Sequence, residues 1–162
     1  MRGEELTDLA TVKDFVPGPA PRVSASSTLL AFDFGTRHIG IAVGDTGTRM
    51  AHALGVVGGP SNAARMAAIE HFVREWRPAR LVVGLPLAPD GAEQEMTAHA
   101  RRFARRLAAR FELPVELADE RLSSAAAEDG LRAAGRGGRK HKQLVHGEAA
   151  RIILQSYLDE SA

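Results

Sequence analysis

Apolar residues fall first in short runs along this chain and later at helical spacing. Leu29 to Phe32 is an apolar run closed by an acid, Asp33, while Ile39 to Val43 is a second and Met50 to Val57 a weaker third, with Gly-containing turns between them. Runs of this length bounded by turn residues predict strands, and joins this short predict an antiparallel meander. Beyond Ser61, a predicted N-cap, Met66, Ile69, Val73 and Trp76 share one helical face and Pro78 stands just past the end. Arg80 to Gly84 then predicts a buried strand. From Glu93 onward Met96, Ala100, Phe103, Ala104, Leu107 and Phe111 recur at helical spacing, which predicts an amphipathic helix. Pro114 to Leu117 predicts a short strand running on to Asp119 and Glu120, and helices follow over 123–134 and 145–158 with a Gly-rich basic loop between them. The order βββαβαβαα is that of an α/β domain, a mixed five-stranded sheet with helices on its faces.

Ahead of this pattern the chain changes character. Residues 1–27 carry Glu4, Glu5, Asp8 and Asp14, then Pro17, Pro19 and Pro21 close together, then Ser24, Ser26 and Ser27. No apolar run of signal-peptide length occurs there, so the expectation is a flexible, PPII-like extension over 1–27 and one domain over 28–162, with no secretory leader. The longest apolar stretch, Leu81 to Leu87, is broken by Gly84 and Pro86 and falls short of the roughly 20 residues a bilayer span needs. A soluble, cytoplasmic protein with no membrane partner is expected. At 162 residues the chain has room for one ordinary domain and not for a two-domain enzyme of the usual size. The absence of cysteine excludes disulfide scaffolds, thiolate zinc sites and cysteine nucleophiles together.

Candidate chemistry gathers where strands end. Asp33 closes an otherwise apolar strand just before Gly35, and Glu120 closes another in the same way. Ligands and reacting groups of open α/β sheets collect at strand ends, so two acids on buried strands point to a shared site. The alternative is that each acid caps a turn or the next helix.

Four strings in order carry a resemblance. They are Leu29-Leu-Ala-Phe-Asp-Phe-Gly-Thr-Arg-His-Ile-Gly40; Val83-Gly-Leu-Pro-Leu87 with Asp90-Gly91 and Glu93-Gln94; Asp119-Glu-Arg-Leu-Ser123; and Ile152-Ile-Leu-Gln-Ser-Tyr-Leu158. Together they resemble the YqgF family of Holliday-junction-resolvase-like nucleases, implicated in 5′-end processing of pre-16S rRNA. The resemblance covers essentially everything after the extension. It implies a ribonuclease H-like fold and a hydrolase that cuts phosphodiester bonds with a divalent metal, Mg²⁺ or Mn²⁺. It further implies RNA, the 16S rRNA precursor, as partner. Branched DNA is an alternative substrate, and a catalytically weak RNA-binding maturation factor is the rival from another class. A monomer or weak homodimer is expected, with a dimer required for symmetric resolution of a junction.

Two divalent ions about 3.5 to 4 Å apart can activate water and relieve charge on the leaving oxygen, and carboxylates hold hard cations well. Asp33 and Glu120 match the family's positions for that work. The family's third acid stands in a Val-Asp pair at the start of the last helix, where this chain has Val145-His146. Helical projection sets His146 inside the arc of Val145, Ala149, Ile152, Ile153 and Tyr157, and turns Glu148 away with Arg151 and Gln155. A helix N-terminus there would keep the imidazole neutral, with a lone pair for a metal. Nitrogen suits Mn²⁺ or Zn²⁺ better than Mg²⁺. Alternatively His146 is a core histidine in a site that lacks its full metal complement.

Charge enters last because the total hides its distribution. Lys+Arg 21 against Asp+Glu 20 leaves +1, yet Arg132, Arg136, Arg139, Lys140 and Lys142 fall between Gly130 and Gly147 with no acid among them. This segment leads into the helix of His146 and reads either as a phosphate-backbone contact or as a solvated loop. Arg101, Arg102, Arg105, Arg106 and Arg110 form a second cluster opposite an apolar stripe, where a solvated face is the plainer reading. Arg37 and Arg121 stand beside the presumed catalytic acids, where a guanidinium holds a phosphate oxygen or pairs with the carboxylate. With Trp76 and Tyr157 both expected on apolar helix faces, base-stacking platforms are not expected. Asp33-Phe-Gly-Thr36 also resembles the first phosphate loop of actin-like ATPases and sugar kinases, which need two such domains around the nucleotide. This chain has length for one.

Overall fold

The apolar runs at the head of the domain form β1 (Thr28–Phe34), β2 (His38–Asp45) and β3 (Met50–Gly58) in a computed structural model that describes residues 26–120 and 138–161. β1 pairs antiparallel with β2, and β2 with β3, which is the expected meander. β4 (Arg80–Leu85) lies parallel to β1 on its other side and β5 (Val115–Asp119) parallel to β4. The sheet order β3-β2-β1-β4-β5 puts β1 at the centre. Its burial from Leu29 through Asp33 follows, because a central strand covered on both faces meets no water.

α1 (Asn62–Trp76) joins β3 to β4, and α2 (Glu95–Phe111) joins β4 to β5. Ser61 caps α1 as expected, its hydroxyl accepting from the Ala64 N–H at 3.1 Å, and Arg77 ends it in the left-handed region ahead of Pro78. α2 opens on a capping box in which the Gln94 N–H donates to Thr97 Oγ1 at 2.8 Å. Thr97, fully buried, donates in turn to the Pro86 carbonyl, tying the start of α2 to the end of β4. α3 (Gly138–Glu160) closes the described chain.

Strand side chains alternate between faces, and the two cores divide accordingly. Leu30 and Phe32 of β1 pack with Leu81, Val83, Ile69, Phe103 and Leu107 under α1 and α2. Leu29 and Ala31 pack on the opposite face with Ala42, Val82, Ala150, Ile153 and Leu154 under α3. Helices therefore cover both faces, as expected. On this face β1 and β2 present Ala31, Gly40 and Ala42, and α3 comes close to the sheet there. A Cβ at Gly40 would stand 1.9 Å from the His146 carbonyl oxygen, so only glycine admits α3 at this depth.

Three expectations change. α3 begins at Gly138 instead of 145, because Arg, Lys, Gln and Leu are good helix formers and no breaker interrupts them. Arg139, Lys140 and Lys142 thus belong to a helix rather than to a Gly-rich loop. Trp76 is 37% exposed at the last position of α1, whereas Arg65 is buried on its inner face. The helix expected over 123–134, with Arg121 and Arg136, lies outside the described residues. No helix among the described residues is long and apolar enough to cross a membrane.

Candidate active site

Alternation along β1 sets Asp33 on the same face as Leu29 and Ala31, toward α3, where it is 5% exposed. Because β1, β4 and β5 run parallel, their carboxyl ends share one edge of the sheet. Glu120 sits one position past β5, its N–H donating to the Leu85 carbonyl at 3.2 Å, so the β4–β5 pairing carries it to that edge. Its side chain then crosses over β4 toward Asp33. Gly84 permits the crossing, since a Cβ there would lie 2.5 Å from Glu120 Oε2.

The two carboxyls are hydrogen-bonded to each other. Burial, and after it the negative charge of Asp33, pushes the Glu120 carboxyl up to about 9, from an ordinary value of 4.5. At neutral pH with no cation present Glu120 therefore keeps its proton and donates it to Asp33. His146 completes the group, with Nδ1 3.1 Å from Asp33 Oδ2. An ionised carboxylate only accepts, so Nδ1 carries the donated proton and Nε2 is left on the other side of the ring. His38, at the start of β2, holds its ring 6.0 Å from that of His146 between centroids.

A cavity of about 440 Å³ opens over these groups. The β1–β2 turn, with Arg37 and His38, walls one side, and Pro86 and Met96 stand on another. Asp33, Glu120 and His146 are thus brought together, and Arg37 is exposed at the rim. Glu148 faces elsewhere, as the helical projection anticipated, and forms an ion pair with Arg151 at 2.6 Å. One argument changes: His146 lies more than two turns inside α3, beyond the reach of charge at the helix terminus. The ring is held by Asp33 instead. Arg139, Lys140 and Lys142 occupy the opening turns of α3 that lead to His146. In the α2 cluster Arg101 pairs with Glu93 at 2.7 Å and Arg110 with Glu70 of α1 at 2.8 Å, as on an ordinary solvated face.

Sequence reasoning missed His38 and Arg65. His38 gave no signal, because its neighbourhood depends on the approach of α3. Arg65 did give one, standing one helical turn before Ile69 on the face assigned to the core. The donors suit a divalent cation: two crowded carboxyls, one of them forced to retain a proton, gain from a positive charge placed between them. Among the described residues no group of three His, Asp or Glu is already arranged to hold one.

A family model described as RuvX, Holliday junction resolvase, matches residues 27–160. The chain belongs to the RuvX family. This is the family that the four strings pointed to under its other name, YqgF. RuvX relatives named "Putative pre-16S rRNA nuclease" include one from Thiobacillus denitrificans, 52% identical over 132 residues that span 82% of this chain and 91% of the relative. Another, from Burkholderia lata, is 49% identical over 134 residues, 83% of this chain and 90% of the relative. Among solved structures, Thermus thermophilus RuvC in complex with a Holliday junction gives a TM-score of 0.50 at 19% identity, covering 83% of this chain and 95% of that one. The Fowlpox virus resolvase with junction DNA gives 0.53 at 8% identity, covering 83% and 98%. At such identities the likeness is one of fold, and the ribonuclease H-like architecture of the RuvX chain agrees with it.

Proposed function

We propose that this RuvX chain is a metal-dependent nuclease that hydrolyses phosphodiester bonds in RNA, with the precursor of 16S rRNA as substrate. The observation that carries the reading is the Asp33–Glu120 carboxyl pair, gathered with His146 at the parallel strand ends beneath an open cavity. Relatives about half identical bear a nuclease name, which supports it.

Asp33 and Glu120 would hold the divalent cation, Mg²⁺ or Mn²⁺, with His146 beside them. The bound ion supplies an activated water and relief of charge at the leaving oxygen. Asp33 would fix the His146 ring through Nδ1, and Glu120 would lose its proton to solvent once a cation is held. His146, in place of a third carboxylate, contributes nitrogen and one negative charge fewer, so the site favours Mn²⁺ over Mg²⁺. Arg37 at the rim holds a phosphate oxygen, and Arg121, Arg136, Arg139, Lys140 and Lys142 are assigned to the nucleic-acid backbone. In this reading residues 28–162 form the nuclease domain, 1–27 an extension to it, and a ribosomal-precursor substrate sets the work in the cytoplasm.

The second reading is resolution of branched DNA, favoured by the description of the family. It requires two sites related by symmetry and hence a dimer. Cleavage of a 16S precursor and of a four-way DNA junction, each with Mg²⁺ and Mn²⁺, tests both. RNA cutting that is faster with Mn²⁺ is expected from the wild type, none from Asp33→Asn, and a gain with Mg²⁺ from His146→Asp. If wild type and His146→Asp leave both substrates intact with both metals, the nuclease reading fails.

A further inference from the structure

Arg65 is a charged residue where the pattern of α1 calls for an apolar one, and it is 7% exposed. Burying a guanidinium costs free energy unless its donors are satisfied, and the usual partner is a carboxylate. Among the described residues none pairs with it. Nη1 donates to the Gly35 carbonyl at 3.1 Å and to the Thr36 carbonyl at 2.5 Å, and Nη2 to Asn62 Oδ1 at 2.5 Å. The guanidinium carbon lies 5.8 Å from the centre of the Phe34 ring, and among the described residues Nε finds no partner. A methionine or leucine would occupy this space without leaving a buried donor unpaired. The charge is retained where its main contacts are two successive carbonyls of the β1–β2 turn.

That turn walls the cavity over Asp33 and Glu120. No peptide bond is cis, and in a trans peptide the N–H points opposite to the C=O. Carbonyls of Gly35 and Thr36 drawn toward α1 therefore turn the next two amides, Thr36 N–H and Arg37 N–H, away from it. Among the described residues neither amide has a backbone acceptor. A cation at the oxygen end polarises each peptide so that its N–H becomes a better donor. Successive N–H groups in a turn make a concavity suited to anions, and the Arg37 side chain extends from the same stretch.

We propose that Arg65 is a positioning residue that clamps the β1–β2 turn from behind, so that the Thr36 and Arg37 amides, with the Arg37 side chain, cradle a phosphodiester beside Asp33 and Glu120. The assignment deepens the nuclease reading and rests on it for the identity of the phosphate, but the cradle can be tested without cleavage. Dimethyl phosphate, a phosphodiester without bases or sugar, is titrated into ¹⁵N-labelled full-length protein in EDTA. The amide resonances of Thr36 and Arg37 shift on binding in the wild type. In Arg65→Met, at a temperature where its melting curve shows it fully folded, affinity falls about tenfold, and Arg65→Lys recovers part of the loss by restoring the charge. Should Arg65→Met not fold, Arg65→Gln takes its place.

A residue that only supports the fold would lower Tm and leave the affinity of the folded protein unchanged. That outcome overturns the proposal, as does a wild type whose Thr36 and Arg37 amides ignore the probe. If the amides respond as expected while no nucleic acid is cut, the nuclease reading fails and the cradle stands.

Discussion

Glu120 is a largely buried carboxyl beside a second acid, and its behaviour has a definite sign. Unfolded, its carboxyl ionises near 4.5, whereas in the fold burial and Asp33 hold the proton up to about 9. Between those values the native state binds more protons than the unfolded chain. The stability Glu120 contributes is therefore complete below about pH 4.5 and is lost as pH rises through about 9. In EDTA, Tm of the wild type relative to Glu120→Gln should fall across that window, and melting curves at a series of pH values check it. A constant difference would mean that Asp33 and Glu120 do not share a proton. A divalent cation reverses the balance by favouring the ionised form, so metal binding near neutral pH should release a proton to the buffer. His146 belongs to the same group, its Nδ1 standing 3.1 Å from Asp33 Oδ2.

The site exists because α3 lies unusually close to β2 and β1. Gly40 sets that distance, its absent Cβ leaving room for the His146 carbonyl, and the neighbour it would strike is backbone that cannot swing aside. Gly40→Ala should push the helix outward, costing about 1 to 3 kcal/mol as overpacking does, and separate His146 from Asp33. Thermal melts measure the first effect. The His146 imidazole resonances, which should lose their dependence on Asp33→Asn, measure the second. Unaltered resonances would show that the helix has another way to hold its ring. The opening turns of α3 matter for a different reason. They convert Arg139, Lys140 and Lys142 from loop residues into an extension of the helix that carries His146. If they meet the nucleic-acid backbone, Lys140→Ala with Lys142→Ala should weaken binding alike for all sequences and lower the salt slope by about 1.8, read from affinity against salt concentration. An unchanged slope removes them from the interface.

Across the whole molecule, what local pattern could reveal and what it could not divide along physical lines. Strand runs, the Ser61 cap, the amphipathic stripe of α2 and the meander were legible because each depends on neighbours a few residues away. Asp33 and Glu120 were legible as a pair because an acid closing a buried strand is costly and stands out in one dimension. The net +1 likewise separated into a basic segment and scattered acids on reading along the chain. The start of α3 is not legible from apolar periodicity, which begins only at Val145, whereas Arg, Lys, Gln and Leu before it favour a helix by propensity alone. Arg65 was passed over because its partners are carbonyls, which every residue carries and no residue type announces. The proton shared by Glu120 and Asp33, the crossing over Gly84 and the ring of His146 against Asp33 all come from chain packing on the α3 face. The amino-acid order thus dictates which elements form and which groups could react, since those follow from short-range energetics. Distances and protonation states depend on burial between segments far apart in the chain, and they exist only once α3 is seated on the sheet.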